Sequence, residues 1–219
     1  MLTNSCKKDN DNTPSDIVTD IDGNIYHTVT IGTQVWMVEN LNVTHYRNGD
    51  PITNVTENAQ WFILTTEAYC DYSGYGRIYN SYAVQDSRNI APTGWHVPSD
   101  TEWTILSDYL INNGYGYEGS GHDLAKSLAA TSGWDTFSDA GATGNDQASN
   151  NSTGFTALPG GGRFTSGFLY DAGRSAYWLS STDASATSTW SRGIDYNGSA
   201  LGRGYYDKDD GLSVRCLKD

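Results

Sequence analysis

The chain has 219 residues, of which 18% are charged, with 24 Gly, 15 Tyr and a net charge of −13. A phosphate backbone repels so acidic a chain, which excludes nucleic acid as a partner. No window approaches the roughly 18 apolar residues of a membrane helix, so any membrane contact is expected through an anchor alone.

Residues 1–18 read as a flexible tether. In "MLTNSCKKDNDNTPSD", Leu2 precedes Cys6 by four positions, a small residue stands just before the cysteine, and a charged polar run follows. This resembles a bacterial lipoprotein processing site, in which a diacylated Cys6 anchors the chain. The other reading is an ordinary cysteine in a solvated terminus. Lipidation would place the rest outside the cytoplasm, where Cys70 and Cys216 either pair or remain free thiols. No CxxC occurs, which argues against zinc-ribbon and thioredoxin-type sites.

Residues 19–219 read as one domain rich in short runs bounded by Gly, Asn and Asp. "NIYHTVTIGTQVWMVENL" alternates Ile25, His27, Val29 and Ile31 before Gly32 and resumes at Val35, which predicts a hairpin. "PSDTEWTILSDYLINNG" predicts a helix: Ser99 and Glu102 form a capping box, Trp103, Leu106 and Leu110 share one face, and Asn113-Gly114 stops it. A second helix is expected near His122–Ala130, with Leu124 and Leu128 together. "SNNSTGFTALPGGGRF" reads as loop, strand and turn, followed by short strands and loops up to a last strand in "LSVRCLKD". Paired terminal strands are expected to bring the ends of the domain together.

"DIDGNIYHTVTIGTQVWMVENL", "APTGWHVPSDTEW", "GFTALPGG" and "GLSVRCLKD" together resemble the Fibrobacter succinogenes major paralogous domain family, over about residues 19–219. That family is common in surface lipoproteins of Bacteroidetes-type bacteria. The resemblance implies an α+β, C-type-lectin-like fold with two helices, short antiparallel strands and much loop, akin to formylglycine-generating domains. Fold alone does not imply sugar binding. Where relatives often carry a cysteine before "PTGWH", this chain has Ala91, which weakens any family disulfide to Cys216.

Motifs of chemistry are sparse. "GYGYEG" matches GxGxxG at Gly114, Gly116 and Gly119, but it follows a helix and not a strand, so a dinucleotide site is not expected. No GxSxG or HExxH occurs. His27, His45, His96 and His122 are scattered, and His96 in "GWHVP" reads as a packed structural residue. "DKDD" at Asp207–Asp210 offers carboxylates to calcium, but a solvated acidic turn accounts for it as well.

The segment from Ala176 to Tyr206 carries the functional expectation. Read as a strand over 189–197, one face holds Trp190, Arg192, Ile194 and Tyr196, a set suited to burial. The other holds Ser191, Gly193, Asp195 and Asn197, small and polar, facing outward. Leu201 and Arg203 alternate with Gly202 and Gly204 in the same way. Small residues in place of Tyr and Asn resemble the variable region of proteins targeted by diversity-generating retroelements. An ordinary variable surface in a large paralogous family is the other account.

The expectation is therefore a monomeric, lipid-anchored protein of the outer membrane or cell surface that binds a protein or glycan ligand. No cofactor, metal or catalytic residue is expected. Its site comprises Gly162, Asp171, Arg174, Ser175, Asp183, Ser185, Thr187, Ser191, Gly193, Asp195, Gly202 and Gly204, with Tyr196, Tyr205 and Tyr206 as amphipathic contacts. Alternatives are a structural or adhesin module of the envelope, or an enzyme related to the formylglycine-generating group.

Overall fold

The computed structural model describes residues 17–72, 74–119 and 121–219. Cys6 and most of the expected tether lie outside these residues. The first elements are β1 (Ile17–Thr19), β2 (Ile25–Ile31), β3 (Gln34–Met37), α1 (Asn58–Trp61), β4 (Tyr69–Tyr72), β5 (Gly76–Asn80) and α2 (Ser81–Val84). Then come β6 (Trp95–His96), α3 (Asp100–Asn112), α4 (Ala125–Leu128), β7 (Gly162–Arg163) and β8 (Leu169–Tyr170). The chain ends in β9 (Ser175–Asp183), β10 (Ser188–Asp195), β11 (Gly202–Asp207), β12 (Gly211–Leu212) and β13 (Leu217–Lys218).

The strands form three antiparallel sheets, ordered β1-β2-β3-β13-β6, β11-β10-β9 and β4-β5-β12-β7-β8. The molecule is thus predominantly β, and the α+β, C-type-lectin-like expectation is overturned. Only α3 exceeds a single turn among the described α-helices. The helix expected near His122–Ala130 contracts to α4, whose start has no side-chain cap and whose Ala125 N–H is given to the Ser199 carbonyl. A helix of one turn has already met the cost of nucleation and gains little propagation, so tertiary contacts set its length. The stretch expected as a turn at "GGGRF" supplies β7, and the last strand expected in "LSVRCLKD" is divided between β12 and β13; β7, β8, β12 and β13 are each two residues long and too short to show a period.

The hairpin and the long helix form where expected. β2 and β3 pair from Thr28↔Met37 to Ile31↔Gln34. Gly32 makes the turn at φ 64, where a residue with Cβ would also strike the Tyr109 ring at 2.7 Å. The capping box at Ser99 and Glu102 is closed in both directions, and Trp103, Leu106 and Leu110 are fully buried. They join Trp36, Phe155, Trp178 and Ile194 in one core cluster; the Trp36 and Trp103 rings lie 4.7 Å apart. The last strand pairs with the hairpin (Leu217↔Trp36) and with β6, so β1 and β13 share a sheet without pairing to each other.

Two motif residues turn out to be structural. His96 hydrogen-bonds Glu102 at 2.8 Å and Asp219 at 2.7 Å, tying the C-terminus to α3. Burial opposes its charge, but these two carboxylates prevail and raise its pKa. Arg215 is fully buried beneath the Phe155 ring, hydrogen-bonded to the Phe155 carbonyl and to Asn40 Oδ1. Burial pulls its pKa down to about 9.

Candidate functional site

The meander of β9, β10 and β11 positions the expected site. β10 pairs with β11 through Ser191↔Gly204, Arg192↔Arg203 and Gly193↔Gly202, and with β9 through Gly193↔Tyr177 and Asp195↔Ser175. Burial falls off across this sheet. β9 is covered on both sides, with Trp178 in one core cluster and Leu179 in another. β11 is the edge strand.

One side of the β10–β11 ribbon is held down on α3. Ile194 is fully buried and Arg192 is 3% exposed. Arg192 reaches Asp100 Oδ1 at 2.7 Å and Thr104 Oγ1 at 3.2 Å. Arg203 grips the same carboxylate through Nε at 3.0 Å and Nη2 at 2.9 Å. The Arg203 hydrogen bond, backed by that of Arg192, holds the Asp100 pKa below the usual carboxylate value despite burial. Asp100 also sits in the first turn of α3, where the helix dipole favours an anion. Trp190 departs from the expected burial. It is half-buried, lies under the Arg203 guanidinium at 3.4 Å, and meets Tyr205 edge-on at 6.0 Å. Its cross-strand partner, Tyr205, is on the edge strand, 65% exposed. Tyr196, also expected to be buried, is half-buried beside Phe137.

The other side of the ribbon is concave. Ser191, Gly193, Asp195, Gly202, Gly204 and Tyr206 line a single cavity of about 190 Å³ together with Tyr177 and Arg203. These six are expected site residues, brought together because alternate positions of paired strands share a face. The glycines leave the floor bare. A Cβ at Gly202 would come no nearer than 3.5 Å to the Gly193 carbonyl, and one at Gly204 only to 3.8 Å from Ser191 Oγ. Gly193 is different: its Cβ would fall 2.9 Å from the Tyr177 ring. Ser191 is 2% exposed, against the expectation of an outward residue, since the cavity walls rise around it.

The walls are aromatic. Tyr177 and Tyr206 meet edge-on at 5.5 Å, and Phe164 packs on both, at 6.0 and 5.5 Å. Burial raises the pKa of both phenols, and the Asp195 carboxylate adds to the effect on each. Asp195 is exposed at one end and accepts a hydrogen bond from Ser175 Oγ at 2.6 Å.

The remaining expected residues lie elsewhere. Ser185, Thr187 and Tyr205 line a second cavity of about 330 Å³ on the opposite side of the ribbon, with Trp190 and Asp207. Tyr205 is 65% exposed there. Arg174 pairs with Asp135 at 3.1 Å. Asp183 pairs with Lys208 at 2.9 Å. Asp171 occupies a turn at φ 65 and accepts the Arg174 and Ser175 N–H groups through its carbonyl. Gly162 is buried in β7, where a Cβ would meet Leu212 at 2.9 Å, so it packs instead of lining a site. Tyr177 and Arg203 escaped the sequence reading as cavity residues. The only signal for Tyr177 is its pairing with Gly193, which depends on a register that one strand alone does not reveal.

Neither free thiol offers a nucleophile. Cys70 and Cys216 are buried in separate core clusters, and burial pushes both thiol pKa values up. Among the described residues, no group of three or more His, Cys, Asp or Glu is placed to hold a metal. "DKDD" divides: Lys208 pairs with Asp183, and Asp210 turns inward, where burial raises its pKa to about 7.

A family model described as the Fibrobacter succinogenes major domain matches residues 29–218. The chain belongs to that family. No curated protein and no solved structure matches the chain.

Proposed function

We propose that this member of the Fibrobacter succinogenes major domain family is a surface-displayed ligand-binding protein, anchored by lipid at Cys6 and without catalytic turnover. The observation that carries the reading is the glycine-floored cavity on the ribbon. A glycine in a strand gives up packing and chain entropy, and often marks a place where a ligand approaches the backbone closely. Gly202 and Gly204 leave space that nothing in the described chain fills. A concave site with aromatic walls and a few polar groups is the usual form of a recognition site. The anchoring part rests on the sequence around Cys6.

Gly204→Val tests the site. The β-branched side chain suits a strand, meets only Ser191 Oγ at the Cβ position, and projects into the cavity. Native and variant proteins are compared on an array of defined glycans and purified envelope proteins. The reading expects a ligand for the native chain that is lost in the variant at unchanged melting temperature. Equal binding by both, or binding by neither, counts against it. For the anchor, labelled palmitate should enter the native full-length chain in its host and not the Cys6→Ser variant.

A further inference from the structure

We propose that the ribbon cavity receives a basic side chain, Lys or Arg, from a protein partner. The inference rests on the ligand-binding reading above and gives its ligand a chemistry.

The charges around the cavity point one way. Asp195 is exposed, and among the described residues its carboxylate has one side-chain partner, the neutral Ser175 hydroxyl. No cation of the described chain forms an ion pair with it. Arg203 is the one cation lining the cavity. Its guanidinium is already committed to both oxygens of Asp100 and to the Trp190 face, on the far side of the ribbon. The uncompensated charge at the site is therefore negative. The chain as a whole is at −13, which attracts basic partners over a distance and repels acidic ones.

The walls suit the same guest. Tyr177 and Tyr206 present two rings inclined at 64° to each other, lining the same cavity as that carboxylate. An ammonium or guanidinium gains from an aromatic face and from an anion together, and more so where water is excluded. Ser191 supplies a further acceptor. It lines the cavity, and its Oγ is the atom that a Cβ at Gly204 would approach.

Size decides between a free small molecule and one side chain of something larger. The cavity is about 190 Å³. Small-molecule pockets commonly begin at about 300 Å³. A single long side chain on a partner's surface matches the smaller space, with its apolar stem along the Tyr rings and its charge at Asp195. β11, as the edge strand, leaves room for the partner's backbone beside the cavity.

The test is an NMR titration of the full chain with acetyl-arginine amide and acetyl-lysine amide as probes. Acetyl-citrulline amide and acetyl-norleucine amide serve as neutral controls, and a set of neutral monosaccharides as the competing chemistry. The expected result is a saturable shift of the Ser191, Gly193 and Gly204 amides with the basic probes only. Asp195→Asn should weaken that binding by about tenfold, the size of one charge-assisted hydrogen bond. Gly204→Val should abolish it. If monosaccharides shift these amides and the basic probes do not, the cavity is still a ligand site but the basic guest is wrong. If the basic probes shift other residues, or bind Asp195→Asn equally well, the inference fails. If no probe shifts these amides, both the inference and the reading beneath it fail.

Discussion

The two sides of the β10–β11 ribbon are made by the same eight-residue and six-residue strands, yet they have opposite character. Toward α3, Ile194 is sealed in an aromatic core and Arg192 and Arg203 share one carboxylate. Away from it, Gly202 and Gly204 leave an open floor beside Ser191 and Gly193. The contrast shows how a sheet separates stability from recognition. Period two sends neighbouring residues to different tasks, so one side can vary while the other keeps the register.

Breaking the scaffold side should have the largest effect. Ile194→Ala empties a fully buried position and should cost about 3–4 kcal/mol, within the range for large-to-small core changes. Urea unfolding of the purified variant measures it. Asp100→Ala comes next. It leaves Arg192 buried without its counter-ion, and a cost of about 2–3 kcal/mol is expected, below that of a fully enclosed pair because Arg203 is half in solvent. The pH dependence sharpens this. A carboxylate whose folded pKa lies below its unfolded value of about 3.8 stabilises the fold above that value, and the contribution is lost as pH falls through the folded pKa. The stability gap between the native chain and Asp100→Asn should therefore be wide near pH 7 and shrink only as pH falls below the ordinary carboxylate value of 3.8. A gap that stays constant with pH contradicts the ion-pair account.

On the cavity side the effects should be smaller and uneven. Gly193→Ala presses its methyl on the Tyr177 ring and should cost about 1–2 kcal/mol. Gly204→Ser meets open space and should fall within about 0.5 kcal/mol of the native chain. Thermal melts of the pair separate them. Equal costs would mean that the cavity floor is uniformly packed, which erases the distinction between its glycines.

Much of this contrast is legible in the sequence, because it depends on local signals. The capping box at Ser99 and Glu102 marks α3, and Gly32 between alternating runs marks the hairpin. The parity of Ser191, Gly193 and Asp195 against Arg192 and Ile194 marks the two sides of β10. What escaped depends on pairing at a distance. The alternation predicts a buried Trp190, but its cross-strand neighbour is the edge residue Tyr205. It also predicts an outward Ser191, but Tyr177 from β9 and Tyr206 from β11 wall it in. The fold class failed for a related reason. Two-residue strands such as β7 and β12 carry no period of their own and exist only because neighbours pair with them. The apolar spacing at Leu124 and Leu128 fits a helix, but the Ala125 N–H is given to Ser199 at its start and the Leu128 carbonyl accepts from Ala157 at its end, which leaves one turn.

The central claim, that one side of the ribbon holds the fold while the other is free to choose a ligand, is tested most directly by two matched libraries. One randomises Asp195, Gly202 and Gly204; the other randomises Arg192, Ile194 and Asp100. Each is displayed on cells and sorted for folding by resistance to protease. Most members of the first library should survive and most of the second should be degraded. Similar survival in the two libraries would contradict the division of labour on which the proposed function depends.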